Sequence, residues 1–159
     1  MNDKILKFLE KSLKIEDSGV NFFSKSARRF SRISELKVYF ETFARTKVSH
    51  KAFMHELTSN YKNHQLKIKK DTISDFDISG LESLLDDVSV VGDHSLPEDI
   101  LKSAFNYLNI TIKLYSKLSA TFGFDESFNK MSAESKLVFD VVKKHIHEFT
   151  EEIRFYGYE

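Results

Sequence analysis

Apolar residues recur at alternating steps of four and three along much of this chain. From Leu36 onward the positions Leu36, Phe40, Phe43, Lys47, His50, Met54, Leu57, Tyr61 and His64 follow that rhythm without a break. Such a step keeps side chains on one stripe of an α-helix, so the segment predicts a long helix with its seam facing a core. A lysine and a histidine sit in the middle of that seam.

The rest of the chain divides by the same criterion. Leu9, Glu16, Phe23 and Phe30 are spaced by seven and flanked by Ile5, Leu13, Val20 and Ala27, which predicts a first helix with Glu16 on its apolar face. Asn2 or Asp3 can cap its start, and two serines between Ser31 and Ser34 can cap the next helix. From Lys69 to His94 the chain is rich in Asp and Ser and has no sustained period. It reads as a crossover connection with one short helix around Gly80 to Asp86. Ser95, Leu96, Pro97 and Glu98 form a capping-box pattern with proline in the first turn. Leu101, Ala104, Leu108, Thr111, Tyr115, Leu118 and Phe122 then repeat the four-three spacing, and Gly123 ends the helix. A fourth long helix, from Asp125 or Ser132 to Phe155, carries Met131, Val138, Val142, His145 and Phe149 on one face, with Gly157 as terminator. The expected fold is all-α: one domain over 1–159, with helical hairpins over about 4–68 and 95–156 and a connector over about 69–94. That is the arrangement of a four-helix bundle with one long crossover. The segments starting at Ile15 and Tyr107 align weakly, with an aromatic at Phe23 and Tyr115 followed by Ser-Lys, which suggests a duplicated hairpin.

Composition narrows the function. The 159 residues hold 24 basic and 24 acidic side chains, so zero net charge gives no electrostatic case for nucleic acid or an anionic membrane. Arg28, Arg29 and Arg32 form a small basic cluster, read either as a solvated helix end complementing the helix dipole or as a phosphate contact. The absence of cysteine excludes disulfides, a thiolate nucleophile and a Cys-ligated iron centre. Charges interrupt the first apolar residues too often for a signal peptide, and no later run is long enough to span a bilayer, so the expected location is cytoplasmic. A single proline and five glycines argue against an all-β fold. No Gly-rich phosphate loop, nucleophile elbow or His-Glu-x-x-His motif is present. Fifteen Phe and six Tyr exceed what one small seam consumes. Tyr39, Phe53, Phe105, Phe155 and Tyr156 fall partly off the inner faces. They read as packing under the crossover, or as a homodimer surface, or as a cleft for an apolar small molecule.

Over roughly residues 4–66 and 96–154 the chain resembles a rubrerythrin-like member of the ferritin-like superfamily. In that family the first and third helices each offer a metal-binding Glu, typically seven residues before an aromatic, and the second and fourth each offer Glu-x-x-His. The family's chemistry is oxygen or peroxide reduction and iron oxidation at a di-metal centre. The resemblance assigns the first Glu to Glu16, seven before Phe23, and the second-helix pair to Lys47 and His50, preceded by Phe40, Phe43 and Ala44. The third-helix Glu falls on Leu108, seven before Tyr115, and the fourth-helix pair on Val142 and His145. His147 is an alternative register that points away from the seam. Glu16, His50 and His145 are kept, while Lys47, Leu108 and Val142 replace carboxylates.

Two iron ions in a bundle need several carboxylates to offset and bridge their charge, and a protonated ammonium is no ligand. The resemblance therefore implies a degenerate di-iron site in which Lys47 replaces metal as the buried counter-charge for Glu16. Glu16 reads as that salt-bridge partner or as a surviving ligand. His50 and His145 read as satisfied core histidines or, with Glu16, as a two-histidine, one-carboxylate set for a single iron, manganese or zinc ion. His55, His64 and His94 read as surface or helix-end residues, and His147 beside Glu148 as solvated. The expected function is a non-enzymatic binding or structural module with no cofactor, acting as a homodimer. The alternatives are a single-metal protein with residual redox or peroxide chemistry, and an apolar small-molecule carrier using a cavity made more apolar by Leu108 and Val142.

Overall fold

The computed structural model describes the backbone from Asp3 to Tyr156 and side chains from Lys4 to Glu148. All regular structure among these residues is helical: α1 (Asp3–Arg29), α2 (Ser34–Lys62), α3 (Asp75–Ser89), α4 (Pro97–Phe122) and α5 (Asp125–Tyr156). No helix among the described residues is long and apolar enough to cross a membrane.

Short connections make α1 with α2, and α4 with α5, antiparallel neighbours. The connector fixes how the hairpins meet. Lys69 N–H donates to the Thr121 carbonyl at 2.7 Å, which holds the chain leaving α2 against the end of α4, so α2 and α4 run the same way. Helix α3 then returns beside α1, with Lys4–Asp75 and Lys11–Glu82 ion pairs at matching offsets. Lys117–Asp77 ties its start to the end of α4. Between the hairpins, His50–Glu134 and Lys144–Glu35 contacts set α2 antiparallel to α5.

The seams become the core. Phe40, Phe43, Met54 and Leu57 of α2 and Leu101, Ala104, Leu108 and Leu118 of α4 are buried. Phe23 organises the middle, with ring centroids 4.8 Å from Phe43, 5.4 Å from Tyr107 and 5.5 Å from Phe40. Such tilted and edge-on pairs add stability beyond the area they bury.

Several helix ends differ from the sequence expectation. Helix α3 is twice the anticipated length, because Ser74 and Asp77 form a reciprocal capping box at its start. Ile78, Leu81, Leu84 and Val88 then give it a buried face. At α2 the cap position is Ile33, which has no side-chain acceptor, and Ser34 is already helical. At α4 the cap position is Leu96; Ser95 is one residue too early to cap and instead accepts from Gly92 N–H at 2.9 Å. Gly123 ends α4 with φ +86, a left-handed value suited to glycine, and a Cβ there would lie 3.1 Å from Lys69 Cε. The expected cap at Asn2 and terminator at Gly157 lie outside the described residues, as do the side chains of Phe149, Phe155 and Tyr156.

Candidate functional site

A polar cluster lies where α1, α2, α4 and α5 meet. Helical spacing on α1 puts Glu16 on the same stripe as Leu9 and Phe23, while Lys47 and His50 share the α2 seam. Lys47 Nζ is 2.6 Å from Glu16 Oε2, and both side chains are wholly buried. From α4, the Tyr115 hydroxyl donates to Glu16 Oε1 at 2.6 Å and accepts from Lys47 Nζ at 2.8 Å. Carboxylate, ammonium and phenol thus close a three-membered ring of charge-assisted hydrogen bonds.

Aromatic faces enclose the ammonium. Its Nζ lies 4.9 Å from the Tyr107 ring centroid and 5.4 Å from that of Phe43. These faces favour a cation and replace part of the hydration it loses. Tyr107 is held by donating to the Ile15 carbonyl at 2.7 Å. Gly19 permits both approaches: a Cβ there would overlap the Tyr107 hydroxyl and lie 2.9 Å from Lys47 Cε. Without that side chain, a second helix can reach a backbone carbonyl in the middle of α1.

His50 extends the cluster towards solvent. Its Nδ1 is 3.3 Å from the Tyr115 hydroxyl and its Nε2 is 3.2 Å from Glu134 Oε1. Glu134 offers only acceptors, so the partners assign a proton to Nε2. Glu134 is one-third exposed and connects the buried network to the surface. His50 Nδ1 also lies 3.7 Å from Glu16 Oε2, longer than a full hydrogen bond.

The titration behaviour follows from this geometry. Burial pushes the Glu16 carboxyl up, but Lys47 and then His50 outweigh it, and the group is held at about 2. Burial moves Lys47 below the usual lysine range, and Glu16 pulls it back. The two ends of the pair therefore pull in different senses. The ionised form is the one supported by geometry, because two donors converge on the carboxylate and the Phe43 and Tyr107 rings flank the ammonium. Burial, followed by the Glu16 charge, raises Tyr107 and Tyr115 well above the ordinary phenol, so both stay protonated donors.

The structure gathers Glu16, Lys47 and His50 but does not bring His145 to them. His145 is buried at the opposite end of α2, with Nε2 3.3 Å from Glu35 Oε1 and Nδ1 4.0 Å from Glu148 Oε2. Neither ring nitrogen is aligned for a hydrogen bond. About 22 Å of helix rise separates Glu35 from His50, so the two-histidine, one-carboxylate set of Glu16, His50 and His145 is not one site. Among the described residues no group of three or more His, Asp or Glu is placed to hold a metal ion. The cluster does not fit a di-metal centre either: one sealed carboxylate faces its middle, and an ammonium fills the place beside it. Leu108 and Val142 are fully buried apolar side chains.

The remaining singled-out residues are dispersed. His55, His64, His94 and His147 are exposed. Phe53 packs on Phe124 and Phe128, Phe105 on Phe139, and Tyr39 is 37% exposed. Sequence reasoning missed the parts played by Tyr115, Tyr107, Gly19 and Glu134. A signal existed for the tyrosines, since a phenol on an inner seam needs a hydrogen-bond partner. Gly19, one turn beyond Glu16, was the complementary sign of a close approach. Glu134 lies three residues after Met131 on the same face of α5.

No protein-family model, curated protein or solved structure matches this chain.

Proposed function

We propose that the chain is a rubrerythrin-like, ferritin-like four-helix bundle whose di-metal centre has been replaced by an internal ion pair, and that it acts as a metal-independent structural or binding module. The observation that carries this reading is the Lys47 ammonium seated 2.6 Å from Glu16 and 2.8 Å from Tyr115. The same position is a metal-binding glutamate in the family the chain resembles. A fixed positive charge there supplies the neutralisation that a metal ion would otherwise give the carboxylate. Lys47, Tyr107 and Tyr115 also occupy the middle of the bundle with side-chain volume, which weighs against a carrier that uses that space.

Elemental analysis of protein grown in iron- and manganese-rich medium and purified without a metal-binding tag tests the reading. The expected result is well under one iron, manganese or zinc per chain, with added ferrous iron oxidised no faster than in buffer. Two metals per chain would overturn it. A single metal lost on His50→Ala would replace it with the mononuclear alternative.

A further inference from the structure

The basic cluster at the end of α1 has a feature that helix-dipole complementation does not explain. Between Asp17 and Glu35 the chain carries Lys25, Arg28, Arg29 and Arg32 and no acidic residue. Lys25, Arg28 and Arg29 line one cleft of about 180 Å³, closed on the far side by Gly92 and Asp93 of the α3–α4 connection and by Ile100 of α4. None of the three cations forms an ion pair among the described residues. Arg29 Nε is buried and has no hydrogen-bond partner. Buried N–H groups in folded proteins are almost always satisfied, so an orphaned one beside a cleft marks a missing acceptor.

The carbonyls at the helix end do not supply that acceptor. Ser26, Arg28 and Phe30 carbonyls already accept from the backbone N–H groups of Phe30, Ser31 and Ile33. Lys25 stands a full turn before the end, where the dipole's effect has faded. Three cations against the one carboxylate of Asp93 leave the cleft electropositive, and the Ile100 wall limits screening by water. A guanidinium is shaped to take two oxygens of a tetrahedral anion at once, with an ammonium adding a point charge.

We propose that this cleft binds a tetrahedral oxyanion, the phosphate group of inorganic phosphate or of a small phosphomonoester, with Arg29, Arg28 and Lys25 as its ligands. The proposal is independent of the Glu16–Lys47 cluster, which lies deeper in the bundle and takes no part in it.

Amide-detected NMR titration of the full chain tests it, with inorganic phosphate and glycerol phosphate in separate arms and sodium chloride at matched ionic strength as the control. Saturable shifts are expected at Gly92 and the last turn of α1 with phosphate and not with chloride. Arg29→Gln should weaken binding about tenfold or more, because it removes a charge-assisted fork. Asp93→Asn should tighten it by lifting a repulsion. Tighter binding of glycerol phosphate assigns an organic phosphate, and equal or weaker binding assigns the free anion. Shifts no larger than those from chloride, or affinity unchanged in Arg29→Gln, overturn the proposal. Should that variant fail to fold, Lys25→Gln carries the same reading.

Discussion

The chain assembles glutamate, lysine and histidine twice, in opposite surroundings. Glu16, Lys47 and His50 are sealed, with side-chain exposures of 0, 0 and 2%. Glu35, Lys144 and His145 gather at the other end of α2, where the glutamate and lysine are 39% and 55% exposed. The sealed pair is at 2.6 Å and the open one at 3.4 Å. In the open group slight burial raises Glu35, but His145 and then Lys144 lower it. The chemical parts match and the consequences do not. Water competes for the open group and salt screens it, so its contribution is small. In the sealed group no water replaces a lost partner, so each residue becomes indispensable to the others.

The strongest way to break this comparison is to remove one partner from each pair. Lys47→Met, or Glu16→Leu alone, should destabilise by about 3–5 kcal/mol, because the remaining ion is stranded in the core. The double variant should recover most of that loss, and a double-mutant cycle on denaturant midpoints reads the coupling directly. Additive effects below about 1 kcal/mol each would make the sealed pair equivalent to a surface one.

Acid sharpens the same contrast. Glu16 is held at about 2 against an ordinary 4.5. Its contribution is complete above the unfolded value and is lost as pH falls from about 4.5 through 2. The loss amounts to about 3 kcal/mol of unfolding free energy, read by urea denaturation across that window, and it should persist in added salt.

Gly19→Ala forces a methyl group against Tyr107 and Lys47 without touching any charge. Overpacking of this kind costs about 1–3 kcal/mol, and thermal denaturation should register it. An unchanged melting temperature would mean that the two side chains can withdraw freely.

The smallest effect belongs to the open group. Glu35→Gln or Lys144→Met should change stability by under about 1 kcal/mol, and half-molar salt should erase the difference from wild type.

The helices were legible because seam periodicity is a local property of each segment. Leu36 through Tyr61, and Leu101 through Phe122, announce themselves without reference to anything else. The ends were less legible, since a cap depends on a single residue of phase: Ser95 falls one position early and Ile33 takes a place where a serine was expected. Ser74 and Asp77 carried the signal for α3, but in a stretch whose Asp and Ser content reads equally well as loop. At the site, Glu16 and Lys47 stood out as charges on apolar seams. Tyr115 did not, because an aromatic on a seam looks like core until its hydroxyl has a partner. His145 misled for the converse reason. It occupies the right stripe of α5, but stripe alone does not specify height along the axis, and Glu35 rather than Glu16 stands at its level.

The ring around Lys47 also bears on the order in which the molecule acquires its form. Its hydrogen bonds join residues 31, 68 and 99 positions apart. The first separation lies within one hairpin, but the other two exist only after α4 has docked across the connector. Until then Glu16 and Lys47 face water, which solvates both at no loss. Sequestering them therefore follows hairpin formation, and the expected signature is that removing the ring speeds unfolding more than it slows folding. On that expectation the cluster serves persistence, lengthening the stay in the folded state more than it hastens arrival there.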